Sequence, residues 1–181
     1  DWVEPLSAGI ERNLREPGPY AAENLKAGEG GRFFDDYCNW TRIPEFEAAI
    51  RCSPAAAVAA RLMRSRTVQV FHDHVLVKEE DFYPDPERYL PVPDPDAEPE
   101  RYRVLEWPMQ PGDAVAFHFR TLHGARGNEA PTRRRAFSLR LLGDDARYVE
   151  RPGRTSPPFP GHGMRAGERL REDWFPVVHP L

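Results

Sequence analysis

The sequence predicts a mainly β fold with flanking helices, an α+β or helix-backed β arrangement. Three observations predict it. Helical periodicity is confined to the first third, the texture turns β-branched and aromatic at Thr67, and two more strand-like runs follow residue 112. About four good strands can be counted, where a closed double-sheet barrel takes roughly eight. At 181 residues one domain is the default. It is read as residues 1–181, with a helical flank over 1–66 and a β core with lid loops over 67–181.

In chain order, "WVEPLSAGIERNL" places Val3, Leu6, Ile10 and Leu14 at spacings of three and four, one apolar stripe of a helix. "IPEFEAAIRCSPAAAVAARLMRS" holds two helices. Pro44 suits a first-turn position, and Ser53-Pro54 reads as an N-cap followed by a first-turn proline. Ala57, Val58, Leu62 and Met63 are the expected packing side of the second of these helices. "TVQVFHDHVLVK" then reads as a strand. Residues 81–111 carry eight prolines and many acids, with room for one short strand at "YRVLEW". A loop of that length inside a compact domain is itself a warning. Strands are expected over 113–123 and 134–142, and a Pro/Gly-rich stretch leads to "EDWFPVVHPL".

A net charge of −4 and a pI near 5.9 offer no basic footprint for nucleic acid. Two cysteines, Cys38 and Cys52, make no disulfide framework. No apolar run approaches the roughly 20 residues that span a bilayer, and no charged-then-apolar leader is visible. The expectation is a soluble, cytoplasmic domain with no nucleic-acid or membrane partner and an open oligomeric state.

The last two strands carry the candidate chemistry. Alternation puts Val115, Phe117, Phe119, Thr121 and His123 on one face of the first, with His118 on the other. On the second, Arg134, Ala136, Ser138 and Arg140 share one face, while Arg135, Phe137, Leu139 and Leu141 share the other. "GARGNEAPT" between them reads as a turn. An imidazole and a guanidinium are therefore expected to face one interior, eleven residues apart. The first is a natural metal ligand, and the second suits a bidentate grip on a carboxylate. A lone strand-end histidine is more often a hydrogen-bonded structural residue, and an arginine in "RRR" is more often solvated.

"LHGARGNEAPTRRRAFSLRLLG" resembles the C-terminal motif of the phytanoyl-CoA dioxygenase family, iron(II)- and 2-oxoglutarate-dependent oxygenases with a double-stranded β-helix (jelly-roll, cupin-like) core. "VFHDHVLVKE" is similar to the strand entering that family's active site, and "REDWFPVVHP" to its tail. The resemblance implies that His123 is the distal iron ligand and that Arg134 binds the far carboxylate of 2-oxoglutarate. It implies hydroxylation of a small-molecule C–H bond by O₂, coupled to decarboxylation of 2-oxoglutarate to succinate. The family also requires a His-x-Asp pair to complete a facial triad suited to iron(II).

That pair has no counterpart at a usable place, because Lys78-Glu79 runs straight into "EDFYPDPERYLP". His72-Asp73-His74 lies on the entry strand with its His and Asp on opposite faces, and is read as structural. His162 and His179 are assigned no role, and Lys78 is a weak candidate for contacting an acidic group. Ala125 stands where the family often has a serine that helps the arginine. The central strands and the missing ligands are therefore expected to be one loss, near 79–81. Either this sequence omits a stretch there or the gene carries a real deletion. The first is favoured, since the flanks keep their patterns and a remnant barrel would expose much of its core. The rival function is a metal-free, catalytically inactive β-barrel binding protein, which iron in the purified protein would exclude. A scaffold using the acidic proline loop rests on composition alone.

Overall fold

The computed structural model describes residues 1–23, 33–78, 93–124, 133–151 and 157–180. In chain order they form α1 (Val3–Arg15), β1 (Ala22–Glu23), β2 (Phe33–Tyr37), α2 (Pro44–Cys52), α3 (Ala55–Met63), β3 (Val68–Lys78), β4 (Arg134–Gly143) and β5 (Val177–His179). The strands make one antiparallel sheet in the order β1-β2-β3-β4, with β5 paired to the first residues of β3. The architecture is mainly antiparallel sheet with helices on one side, as the sequence predicts. The sheet is open, however, and the second sheet of a jelly roll is not among the described residues. No helix among them is long and apolar enough to cross a membrane.

The helices form where the periodicity places them. Along α1, Ile10 is buried with Leu6 and Leu14 packed beside it, and Pro44 opens α2 in its first turn. Arg12 of α1 donates to Glu45 of α2 at 2.6 Å, which aligns the two helices. Pro54, rather than Ser53, is the N-cap of α3. The packing side of α3 is also not the expected one. Ala56 and Ala60 are buried against the sheet, while Val58, Leu62 and Met63 are 48%, 64% and 40% exposed. Alanine lets the helix axis approach the strands closely, and the longer side chains are turned outward. The stretch before residue 67 also supplies β1 and β2, which helical periodicity does not announce.

Strand β3 is the centre of the molecule. From Asp73 to Val77 its odd residues face the helices: Asp73, Val75 and Val77 are fully buried. Before that, Val68 and Val70 face the same side. A β-bulge between Val70 and His72 reconciles the two parities by leaving Phe71 without a partner on β4. Phe71 therefore joins His72 on the opposite face. There it packs with Leu142, Phe159 and Phe175 in a cluster completed by Met164, Leu170 and Trp174. The Gln69 amide donates to the carbonyls of Phe175 and Leu170, at 2.7 and 3.2 Å, and pins this C-terminal segment to the sheet.

Two buried carboxylates organise the crossing between β2 and α2. Asp73 accepts the backbone N–H groups of Asn39 and Trp40. Asp36 accepts the Asn13 amide and the Gly18 N–H, both at 2.7 Å, with Arg42 at 3.6 Å. A Cβ at Gly18 would stand 2.2 Å from Asn39 Oδ1, so glycine is needed for this approach. Cys38, in the left-handed region at φ 64°, has its thiol pushed up to about 12 by burial and by Asp73 and Asp36. It is an unreactive thiol.

The two strands expected before residue 124 do not form. Residues 102–107 have no ladder partner, and 113–123 are interrupted by a turn in which Thr121 N–H donates to the His118 carbonyl at 2.8 Å. Val115, Phe117 and Phe119 keep the apolar alternation of a strand, yet are 44–73% exposed. A pattern of that kind needs a neighbouring strand to pair with, because β-structure is set by packing context more than by local preference. β4 pairs with β3, not with 113–123.

Candidate functional site

With helices covering one face of the sheet, the other face presents alternate residues of β2, β3 and β4. Cα partners across the ladder are Tyr37, His74 and Ser138 in one row, and Asp35, Leu76 and Ala136 in the next. His72 is paired with Arg140 below them, and Lys78 with Arg134 at the upper end. β4 thus places Arg134, Ala136, Ser138 and Arg140 on one face. Phe137, Leu139 and Leu141 pack into the helix-side core. That is the division expected from alternation.

The polar groups of this face are ordered by their neighbours. His74 Nε2 lies 3.2 Å from Asp35 Oδ2, and its ring meets Tyr37 edge-on at 5.2 Å. Tyr37 also stacks on Tyr20 at 5.5 Å. The Tyr20 hydroxyl donates to the Pro158 carbonyl, which ties this rim to the C-terminal segment. His72 Nδ1 is 3.1 Å from the Asp73 carbonyl, and burial pushes its pKa down to about 4, so the ring is neutral at pH 7. Arg140 donates to the Ser138 hydroxyl, and its pKa is lowered by burial alone. No described carboxylate pairs with it.

The sequence-predicted pair is placed as follows. Arg134 is exposed at the first position of β4. His123 is exposed, with Nδ1 2.9 Å from the Thr121 carbonyl and its ring 4.4 Å from Phe117. In a continuous strand six residues would separate those rings by roughly 20 Å, so the turn at 118–121 is what folds His123 back. His118 instead accepts the Arg120 N–H. Nothing described brings His123 and Arg134 into contact. His72-Asp73-His74 has its carboxylate on the helix side and its imidazoles on the open side, the split expected from alternation. His162 accepts the Met164 N–H at 2.9 Å. His179 lines a shallow depression of about 370 Å³ with Ala57, Ala60, Arg61, Arg64 and Ser65, away from the open face. Lys78 ends β3, while Ala125 and the expected break at 79–81 lie outside the described residues.

An iron site built on two imidazoles and a carboxylate is not completed here. No group of three His, Cys, Asp or Glu able to hold a metal occurs among the described residues, and His123 faces no described carboxylate. These residues do not by themselves fit the metal. A residue that sequence reasoning passed over is Arg140, placed on Arg134's face by alternation yet given no role. Its signal was present: a cation inside a run of apolar strand residues.

No curated protein and no solved structure matches the chain significantly. Residues 78–136, a stretch that includes both His123 and Arg134, match the family model for phytanoyl-CoA dioxygenase (PhyH). That is the family the LHG and RRRAF motifs resemble, and the match relates the chain to a family of dioxygenases generally dependent on iron(II) and 2-oxoglutarate.

Proposed function

We propose that the chain carries the co-substrate-binding part of an iron(II)/2-oxoglutarate-dependent dioxygenase of double-stranded β-helix architecture. Its open sheet face would be the inner wall. The reaction class is hydroxylation of a small-molecule C–H bond with O₂ and 2-oxoglutarate, which leaves as succinate and CO₂. The observation that carries this reading is the family match over residues 78–136. Two features support it. The helices shield one face only, and Arg134 stands on the other. In this reading the Arg134 guanidinium grips the far carboxylate of 2-oxoglutarate through paired N–H donors, and His123 supplies one imidazole to the metal. Two further ligands must come from outside the described residues, and the stretch expected near 79–81 is their proposed source.

Calorimetry of 2-oxoglutarate binding tests the reading. Arg134→Ala should weaken binding about a hundredfold, the loss of roughly 3 kcal/mol expected for a charge-assisted pair. Equal binding by variant and parent removes the role. In the polypeptide that carries the stretch expected near 79–81, His123→Ala should abolish tight iron(II) binding, while His118→Ala leaves it intact. If that polypeptide takes up no iron under reducing conditions, the metal-free binding protein becomes the better reading.

A further inference from the structure

Arg140 is a partly buried cation with no acidic partner among the described residues. A guanidinium removed from water needs compensation, and one hydroxyl does not supply it. The described acid on this face nearest in the sheet register is Asp35. It sits two strands over and four residues along, roughly 10 Å and 13 Å away by sheet spacings, and it is engaged by His74. Glu11 is taken by Arg135 on the helix side. We propose that Arg140, with Ser138 and His72, forms a binding site for a small monocarboxylate on the open face of the sheet.

The parts suit that ligand. Ser138 accepts one N–H of Arg140 and so orients the guanidinium plane, leaving donors directed elsewhere. A carboxylate matches the remaining planar fork. His72, directly across the ladder, gives its Nδ1–H to the Asp73 carbonyl, so Nε2 of the neutral ring is an acceptor and donates to a carboxylate only as the imidazolium, which links anion binding to protonation of the ring. The site carries a single positive charge at neutral pH, which balances a monoanion and leaves a phosphate dianion half compensated. Phe71 and Leu142 of the C-terminal cluster bound it below, and Tyr37, 6.1 Å from His72 between ring centroids, bounds it on one side. It is distinct from Arg134. Six strand residues separate the two arginines by roughly 20 Å, too far for one five-carbon diacid to bridge. The proposal therefore does not depend on iron or 2-oxoglutarate.

The test is an acetate titration of the full chain followed by NMR of the His72 imidazole, with inorganic phosphate as the second arm. Acetate should move the His72 signals saturably and raise the pH at which the ring titrates, because a bound anion favours the imidazolium. Phosphate should bind at least tenfold more weakly. Arg140→Gln should weaken acetate at least tenfold, Arg140→Lys should restore part of the affinity, and Arg135→Gln, on the helix side, should change nothing. If Arg140→Gln fails to fold, Ser138→Ala decides: it frees the guanidinium and should weaken acetate several-fold. Unchanged acetate binding in Arg140→Gln, or in Ser138→Ala where that variant decides, overturns the site. Loss of binding in Arg135→Gln does the same, and tighter binding of phosphate overturns the carboxylate assignment.

Discussion

His72 and Asp73 are neighbours on β3 whose side chains lie on opposite faces, and burial moves their pKa values in opposite directions. His72 falls to about 4, chiefly by desolvation, and Asp73 rises to about 6, again chiefly by desolvation, against the pull of the N–H groups it accepts. Neutral His72 contributes stability that is complete above the unfolded pKa near 6.5 and is lost as pH falls toward 4. Protonated Asp73 contributes stability that is complete below the unfolded value near 3.8 and is lost as pH rises through 6. Each shift corresponds to about 3 kcal/mol, so across pH 4–6 the two nearly cancel. Measured by denaturation against the double variant His72→Gln/Asp73→Asn, Asp73→Asn alone should gain stability as pH rises over that window. His72→Gln alone should lose it. Parallel pH profiles for all three would show that neither group is shifted.

At the scale of elements, α3 and the 113–123 segment show where periodicity stops being informative. The helical spacing of α3 was legible, but "AAAVAARLM" offers two apolar faces, and the sheet chose the one with the smallest side chains. Ala60→Leu should therefore overpack the contact with Val68, Val70 and Val178 and cost about 1–3 kcal/mol. Leu62→Ala should stay within about 0.5 kcal/mol. The reverse ranking in urea unfolding would restore the face expected from the sequence. The 113–123 segment failed as a strand for a different reason. Its alternation specifies which residues would be buried but not by what, and no described strand runs beside it.

For the whole molecule, the helices, the entry strand, and the two faces of 134–142 were readable because each is fixed by local pattern. β1 and β2 are short, and the bulge at Phe71 inverts the parity of β3 midway, so neither could be read by counting. The candidate site was readable only through motif resemblance; Arg140 and its neighbours required the register. An open sheet face, together with eight exposed large apolar residues between Val104 and Leu122, fits a domain lacking intermediate strands. The polypeptide made from the gene should then exceed 20.7 kDa by several tens of residues inserted between Lys78 and Asp81, with a His-x-Asp or His-x-Glu pair in the insert. An intact mass of 20.7 kDa would sink that expectation.

β4 is bonded to β3 along one side only, and no described strand occupies the other. Alternate residues along its length thus turn their backbone donors and acceptors to that bare side. Arg134, Arg135 and Arg140 guard the strand by charge, but Leu141, Leu142 and Gly143 leave its far end without such protection. A bare edge of this length is a template for any other extended chain. The practical consequence is one of handling: expressed in this form, the chain should grow more prone to self-association as salt screens those three guanidiniums.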